Sequence, residues 1–408
     1  MLQTNKNKLI NRLSVVTLIL LMLFYLIFLI FRFLNFDFNS QLGYLDLQLY
    51  WQGLADLSAG KVIYRDFYWE YGFLYLLIGM PFFILLNKTF FASIFIRVII
   101  LPSISIFLSF LLGKELLNKK SLILFLFLLL LYGVNNDFVS LRHLLPEFGL
   151  LTVILGTEFN NRKKIKTGSI ILGLSLVSSI EYGIVATISA LIYFFFSWIK
   201  KQDLNFLYSS MRNLLTVEGI VAAPYFLYLW KNQALNKMVT FFKEYAGSFY
   251  YNSPCRDLFP RINEISQGID FFQRLNLYFI PFLLLFLAIW AITKIKKSTN
   301  FPIISTLIIY SLLIYYRTLN TPCLNYMNYG LVFTFLILIF LISQPSISLN
   351  LKRALGVILT WFVILGLFES IPQFTKELSA LRFTNTLNEK FLPVAGAILK
   401  KELANEYK

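Results

Sequence analysis

Gly43-Tyr44-Leu45-Asp46-Leu47-Gln48-Leu49-Tyr50-Trp51-Gln52-Gly53-Leu54-Ala55-Asp56-Leu57-Ser58-Ala59-Gly60-Lys61-Val62-Ile63-Tyr64-Arg65-Asp66-Phe67 is followed closely by Tyr71-Gly72-Phe73-Leu74-Tyr75. Gln48, Gln52 and Asp56 recur at every fourth position, while Leu47, Trp51 and Leu54 mark another face. That spacing predicts an amphipathic helix lying in a membrane interface. Gly60 stands where a helix can end on a left-handed residue, and Asp46 is expected at the helix start.

On both sides of this stretch the chain turns apolar. Of 408 residues, 58% are apolar and 14% charged, whereas a soluble domain carries about half and about a quarter. This composition excludes a soluble globule and a disordered tail. One His and two Cys exclude a disulfide framework and a His/Cys metal cage, which need clusters of those residues. The net charge of +16 does not signal nucleic acid, because the Lys and Arg residues fall between apolar runs rather than in one patch. The fold class expected is all-α: a polytopic transmembrane helical bundle forming one integral membrane domain over 1–408.

Lys6, Lys8 and Arg12 precede the first apolar run. That run is longer than a signal-peptide core and no small-residue cleavage site follows it, so a retained first helix with a cytoplasmic N-terminus is expected. Apolar runs at 14–33, 90–112, 121–134, 145–158, 168–180, 182–199, 214–230, 277–294, 302–316, 327–344 and 354–371 predict about eleven crossings of an apolar layer about 30 Å thick. The run at 72–86 is short and contains Pro81, and is read as re-entrant or interfacial. With it left out, Lys114/Lys119/Lys120, Arg162/Lys163/Lys164/Lys166, Lys200/Lys201/Arg212, Lys294/Lys296/Lys297 and Lys352/Arg353 all face the cytoplasm, as positive-inside asymmetry requires. The same bookkeeping demands a hairpin turning near 178–183, with Glu181 at the outer boundary.

The outer side then receives an acidic first loop at 35–71, carrying Asp37, Asp46, Asp56, Asp66 and Glu70 against Lys61 and Arg65. It also receives a turn with Asp137, Arg142, His143 and Glu147, an aromatic-rich loop at 231–275, a loop with Arg317, and a tail at 371–408. No repeat of 20 to 50 residues is present. No Gly-x-Gly-x-x-Gly, Walker A, His-Glu-x-x-His or EF-hand pattern appears, which argues against nucleotide-driven transport.

The order Asp46, Gly60, Tyr64-x-Asp66-Phe67, Tyr71-Gly72-x-Leu74-Tyr75 resembles the first outer loop of the GT-C class of integral-membrane glycosyltransferases. These use polyprenyl-phosphate sugars and include protein mannosyltransferases and aminoarabinose transferases. Phe73 stands where that class usually has Pro. Ser140-Leu141-Arg142-His143 resembles the outer end of the class's next helical hairpin. Tyr316-Arg317-Thr318-Leu319-Asn320 resembles a segment of some bacterial members, which continue with Asp and His where Cys323 and Asn325 stand here.

The resemblance implies transfer of a sugar from a polyprenyl-phosphate donor to a glycan, lipid or protein acceptor, with inversion, on the outer face of a bacterial inner membrane. Asp46 and Asp66 become the candidate catalytic carboxylates, Asp46 as the base taking the acceptor's proton. Arg142 and Arg317 become candidates for binding the departing phosphate, and Glu70, His143 and Glu181 further substrate-binding candidates. No cofactor is required, and a divalent metal is compatible with the scattered acids. The expected partners are the lipid-linked donor, its acceptor and membrane lipids, with no nucleic acid.

Plainer readings compete for each residue. Asp46 is equally placed to interact with the helix dipole, Asp66 to pair with Arg65, and Arg142 with His143 to sit at a helix end as interfacial groups. Glu181 is placed to be a hydrated turn residue. Phe241, Phe242, Tyr245, Phe249, Tyr250 and Tyr251 suit an aromatic belt as well as a sugar platform. Cys255 and Cys323 fall on one side, where a disulfide could form. The rival functions are a lipid-linked glycan flippase or other transporter, and a polysaccharide polymerase or ligase.

Overall fold

The computed structural model describes residues 2–34, 41–69, 72–133, 141–252, 269–295, 300–320, 331–345 and 347–380. Asp37, Glu70, Asp137, Cys255, Cys323 and the stretch 381–408 lie outside the described residues. Among the described residues the architecture is all-helical, the single β feature being an isolated bridge between Ile63 and Phe67.

In chain order the helices are α1 (Leu2–Leu34), α2 (Gln41–Ser58), α3 (Phe73–Leu85), α4 (Phe90–Phe95) and α5 (Leu101–Leu116). There follow α6 (Lys119–Gly133), α7 (Leu141–Glu158), α8 (Arg162–Ser178), α9 (Ile180–Lys201), α10 (Leu204–Lys231) and α11 (Leu235–Asn252). The last described helices are α12 (Ile269–Trp290), α13 (Phe301–Asn320), α14 (Leu331–Ser343) and α15 (Leu349–Ala380). A π turn at Ile96–Ile100 joins α4 to α5 in one continuous helix. Pro102 in the next turn has no N–H to donate, and a local change of helical pitch is the usual accommodation.

Three helices are by themselves long and apolar enough to cross a membrane: Phe90–Leu116, Ile180–Lys201 and Leu349–Pro372. Five shorter apolar helices accompany them. Length and composition of the described helices therefore support a membrane bundle but not the full count of eleven crossings. Polar positions explain the difference in part: α7 carries Arg142, His143 and Glu147 in its first two turns, and α8 opens on four basic residues.

Every residue of α14 from Leu331 to Leu341 is buried, as a helix apolar on all sides must be at the centre of a bundle. α7 and α8 approach closely because Gly156 and Gly168 face the partner helix. A Cβ on Gly156 would come within 2.7 Å of the Ile165 nitrogen, and one on Gly168 within 2.7 Å of Val153. Small residues at helix crossings permit such packing in membranes.

Contacts between helix ends define the two ends of the bundle. At one, Lys164 opening α8 pairs with Glu115 closing α5, and the Tyr193 hydroxyl donates to Glu158 at 2.7 Å. At the other, Arg142 opening α7 meets Ser179 and Glu181 at the α8–α9 junction, and Phe73 stacks on Tyr225. The start of α3 belongs to this second end. Gly72 abuts Ser178, while Lys88 just beyond α3 accepts a hydrogen bond from Trp51 of α2 at 3.4 Å. Between those points α3 lies along α2, where the Tyr50 hydroxyl donates to the Tyr75 carbonyl at 3.2 Å.

Candidate active site

The site is built from the loop after α2, the start of α7, the α8–α9 junction and the ends of α10 and α11. α2 stops as the interfacial pattern predicts, with Gly60 at φ +81°. Its start differs from the expectation: the helix begins at Gln41, so Asp46 lies in its second turn rather than at its end. The helix extends upstream because Leu42 and Leu45 continue the apolar spacing ahead of Leu49. The Asp46 side chain is outside the described residues.

The loop at 62–67 is closed by Asp66. Its Oδ2 accepts from the Val62 amide at 2.8 Å, and Arg65 donates from Nε and Nη2 to the two carboxylate oxygens at 2.9 and 2.8 Å. The adjacent guanidinium and that amide lower the Asp66 carboxyl to about 2. Such a carboxylate is a weak proton acceptor at neutral pH and a strong fastener for the loop. Lys237 of α11 reaches the Arg65 carbonyl at 3.4 Å, which ties this loop to α11.

Tyr64 is the loop's inward residue, held at φ +64° and 1% exposed. Its hydroxyl is hydrogen-bonded with Tyr225, and its ring packs against Phe241 and Phe242 at 5.7 and 5.9 Å. Burial pushes its phenol up to about 12. Tyr64 therefore stays neutral and able to donate a hydrogen bond across the physiological range.

Arg142 is the site's charge. Its Nε donates to the Ser179 hydroxyl at 3.1 Å and its Nη2 approaches Glu181 Oε2 at 3.4 Å, while its guanidinium lies 5.5 Å from the centre of the Tyr182 ring. Ser179 is the extended residue that breaks α8 from α9, and its side chain does not cap α9. Glu181 sits in the first turn of α9, where the helix dipole favours a carboxylate. Tyr64, Gly72, Arg142, Ser179, Glu181 and Tyr225 line one small cavity of about 10 Å³, room for about one water.

Arg142, His143 and Glu147 were expected in an outer turn; they belong to α7. The apolar face Leu141-Leu144-Leu145-Phe148 starts the helix ahead of them. His143 is buried edge-on against Tyr182 at 4.2 Å, and Glu147 is 1% exposed. Arg317 lies in the last turn of α13 rather than in a loop, with its side chain outside the described residues. The expected site residues thus divide. Arg142, Glu181 and the Asp66 loop meet at one end of the bundle, while Glu70 and the side chains of Asp46 and Arg317 lie outside the described residues. Among the described residues no three His, Cys, Asp or Glu side chains gather in a metal-binding group.

Sequence reasoning passed over Tyr64, Ser179, Tyr225 and Gly72 as site residues. Tyr64 and Gly72 stood inside the quoted motif, and that was their signal. The pairing of Ser179 with Arg142 has no local signal at all. Glu218, buried on α10 with both oxygens within 3.2 Å of the Thr187 hydroxyl, had one: it is an acid inside an apolar run.

No protein-family model and no curated protein matches the sequence. Among solved structures, the chain is similar to the oligosaccharyltransferase of Archaeoglobus fulgidus in its apo form. The TM-score is 0.49 and the identity 13%, with 88% of this chain and 56% of that chain covered. Against the same enzyme in complex with zinc and sulfate the TM-score is 0.44 and the identity 15%, with 78% and 45% covered. The chain spans about half the length of those structures.

Proposed function

We propose that the chain is a membrane glycosyltransferase of GT-C type, moving a sugar from a polyprenyl-phosphate donor to an acceptor hydroxyl at the outer end of the bundle. The observation that supports this most is Arg142, held against Ser179 and Glu181 at the start of α9 and beside the loop that carries the Tyr-x-Asp-Phe motif. The Arg142–Glu181 contact is long, at 3.4 Å, so the donor's phosphodiester, a monoanion that gains its second charge as the sugar leaves, can displace Glu181 and take a bidentate contact from the guanidinium. The positive end of the α9 dipole adds to its binding.

In the transfer step the acceptor oxygen forms a bond to the anomeric carbon while the bond from that carbon to the phosphate oxygen breaks. The acceptor's proton passes to Asp46. The electron pair leaves with the lipid phosphate, where Arg142 and the neutral Tyr64 hydroxyl stabilise the developing charge. A single displacement of this kind inverts the anomeric centre. Asp66 holds the loop rather than taking a proton. The cavity is too small for a phosphate as it stands, so Phe242 of α11, which borders it, has to move for the donor to enter. Acceptors in keeping with this reading are glycans, lipids or proteins.

A second reading, a transporter of lipid-linked glycans, is favoured by Glu147 and Glu218, since buried acids among apolar helices mark ion or proton paths. Mass spectrometry of lipid extracts from cells carrying the wild type, a deletion, Asp46→Asn or Arg142→Gln separates the two. The transferase reading expects one polyprenyl-monophosphate sugar to accumulate in all three altered strains. A diphosphate-linked oligosaccharide accumulating in the deletion alone would support the transporter instead.

A further inference from the structure

We propose a separate binding site for an anionic phospholipid at the end of the bundle opposite Arg142. α7 spans 18 residues from that end, about 27 Å, to the turn where Lys164 of α8 pairs with Glu115 of α5. Beside this turn α1, α5 and α6 enclose a crevice of about 740 Å³, within the usual range for a small-molecule pocket.

One wall is Val15, Leu18, Ile19 and Met22 of α1, facing Phe110 and Leu122. The α1 residues repeat at intervals of three and four, so they form a single helix face. Val15 and Ile19 are 42% and 53% exposed. The floor is already close-packed, because a Cβ on Gly113 would come within 2.6 Å of Leu122 and 2.8 Å of Phe125. The crevice therefore cannot be closed by drawing α5 and α6 nearer.

The mouth carries Lys114, Lys119 and Lys120. The acid next in sequence, Glu115, is engaged by Lys164, and among the described residues no carboxylate pairs with the three lysines. An apolar slot about 12 Å deep along α1 from Ser14 to Met22, with a cationic rim where the apolar run begins, is complementary to an acyl chain joined to a negative headgroup. Basic pockets between transmembrane helices recognise lipid phosphates in this way. A soluble anion would use the rim and leave the slot empty.

The test titrates the purified full chain, in native mass spectrometry, with phosphatidylglycerol and with phosphatidylcholine of the same acyl chains. Phosphatidylglycerol is expected to be retained in preference. The double variant Lys119→Gln/Lys120→Gln should weaken its retention about five-fold per lysine. Ile19→Trp, which fills the slot at an exposed position and keeps every charge, should weaken it as well, while Lys352→Gln/Arg353→Gln should leave it unchanged. Equal retention of the two lipids overturns the proposal. So does an equal loss from the Lys352/Arg353 pair, which would show diffuse surface charge, or an unaltered Ile19→Trp, which would show headgroup adsorption without a slot.

Discussion

Gly72→Ala tests the packing that forms the site. Gly72 has φ +85° and ψ 149°, a region that residues with a Cβ avoid at a cost of about 1–3 kcal/mol. An added Cβ would also lie 1.7 Å from the Ser178 carbonyl oxygen and 2.4 Å from its carbon. The obstacle is main chain and cannot rotate away. The start of α3 must then move off the end of α8, an overpacking cost of about 1–3 kcal/mol. Together the two effects predict a loss of about 2–6 kcal/mol. The natural control is Gly60→Ala: Gly60 has φ +81° and nothing within 4 Å of its added Cβ, so only backbone strain of about 1–2 kcal/mol remains. Equilibrium unfolding of both variants in micelles measures the difference. Displacing Ser178 also disturbs Ser179 and therefore Arg142, so Gly72→Ala should lose transfer activity even where it is still folded, and Gly60→Ala should not. A Gly72→Ala protein no less stable than Gly60→Ala would refute the close approach of α3 to α8.

Three further outcomes follow from the same geometry. Asp66 has a folded pKa below its unfolded value, so its contribution is present above about 4 and lost as pH falls toward about 2; thermal midpoints should be flat for this group from pH 5 to 8, and below pH 4 the wild type should lose its advantage over Asp66→Asn. Glu147 is buried with Oε2 unpartnered among the described residues, so Glu147→Leu should stabilise the bundle by about 1–3 kcal/mol in the same unfolding assay; a loss of that size would show that the carboxyl has a strong partner. Lys164 and Glu115 are both 35% exposed, so Lys164→Gln should cost less than about 1 kcal/mol, and a larger loss would show that the pair is a structural clasp.

What the sequence made legible had local period and punctuation. α2 was readable because its polar and apolar positions recur with helical spacing and Gly60 ends it. The α8–α9 break at Ser179 followed from keeping Lys166 and Lys200 on one side. α3 was readable as a short helix from its length and apolar content, with Pro81 inside it. The start of α7 was obscured because Arg142, His143 and Glu147 interrupt the apolar window, although their neighbours keep helical spacing. α11 was hidden by its aromatic content. Met238, Phe241, Phe242 and Tyr245 follow an i, i+3, i+4, i+7 pattern, a helical signal that reading the segment as an aromatic-rich loop passed over. The meeting of Arg142 with Ser179 and of Tyr64 with Tyr225 depends on how four helices dock, and no local pattern encodes it.

The central claim is that Arg142 of α7, beside the start of α9, holds the phosphate of a lipid-linked donor. The most direct measurement is binding of a polyprenyl monophosphate to the purified full chain, comparing the wild type with Asp46→Asn, Arg142→Gln and Lys119→Gln/Lys120→Gln. The account predicts that Arg142→Gln alone loses binding by ten-fold or more, since a charge-assisted bidentate contact is worth about 1.5–3 kcal/mol, while Asp46→Asn binds as the wild type does. Undiminished binding by Arg142→Gln, or a loss confined to the lysine pair, would contradict it.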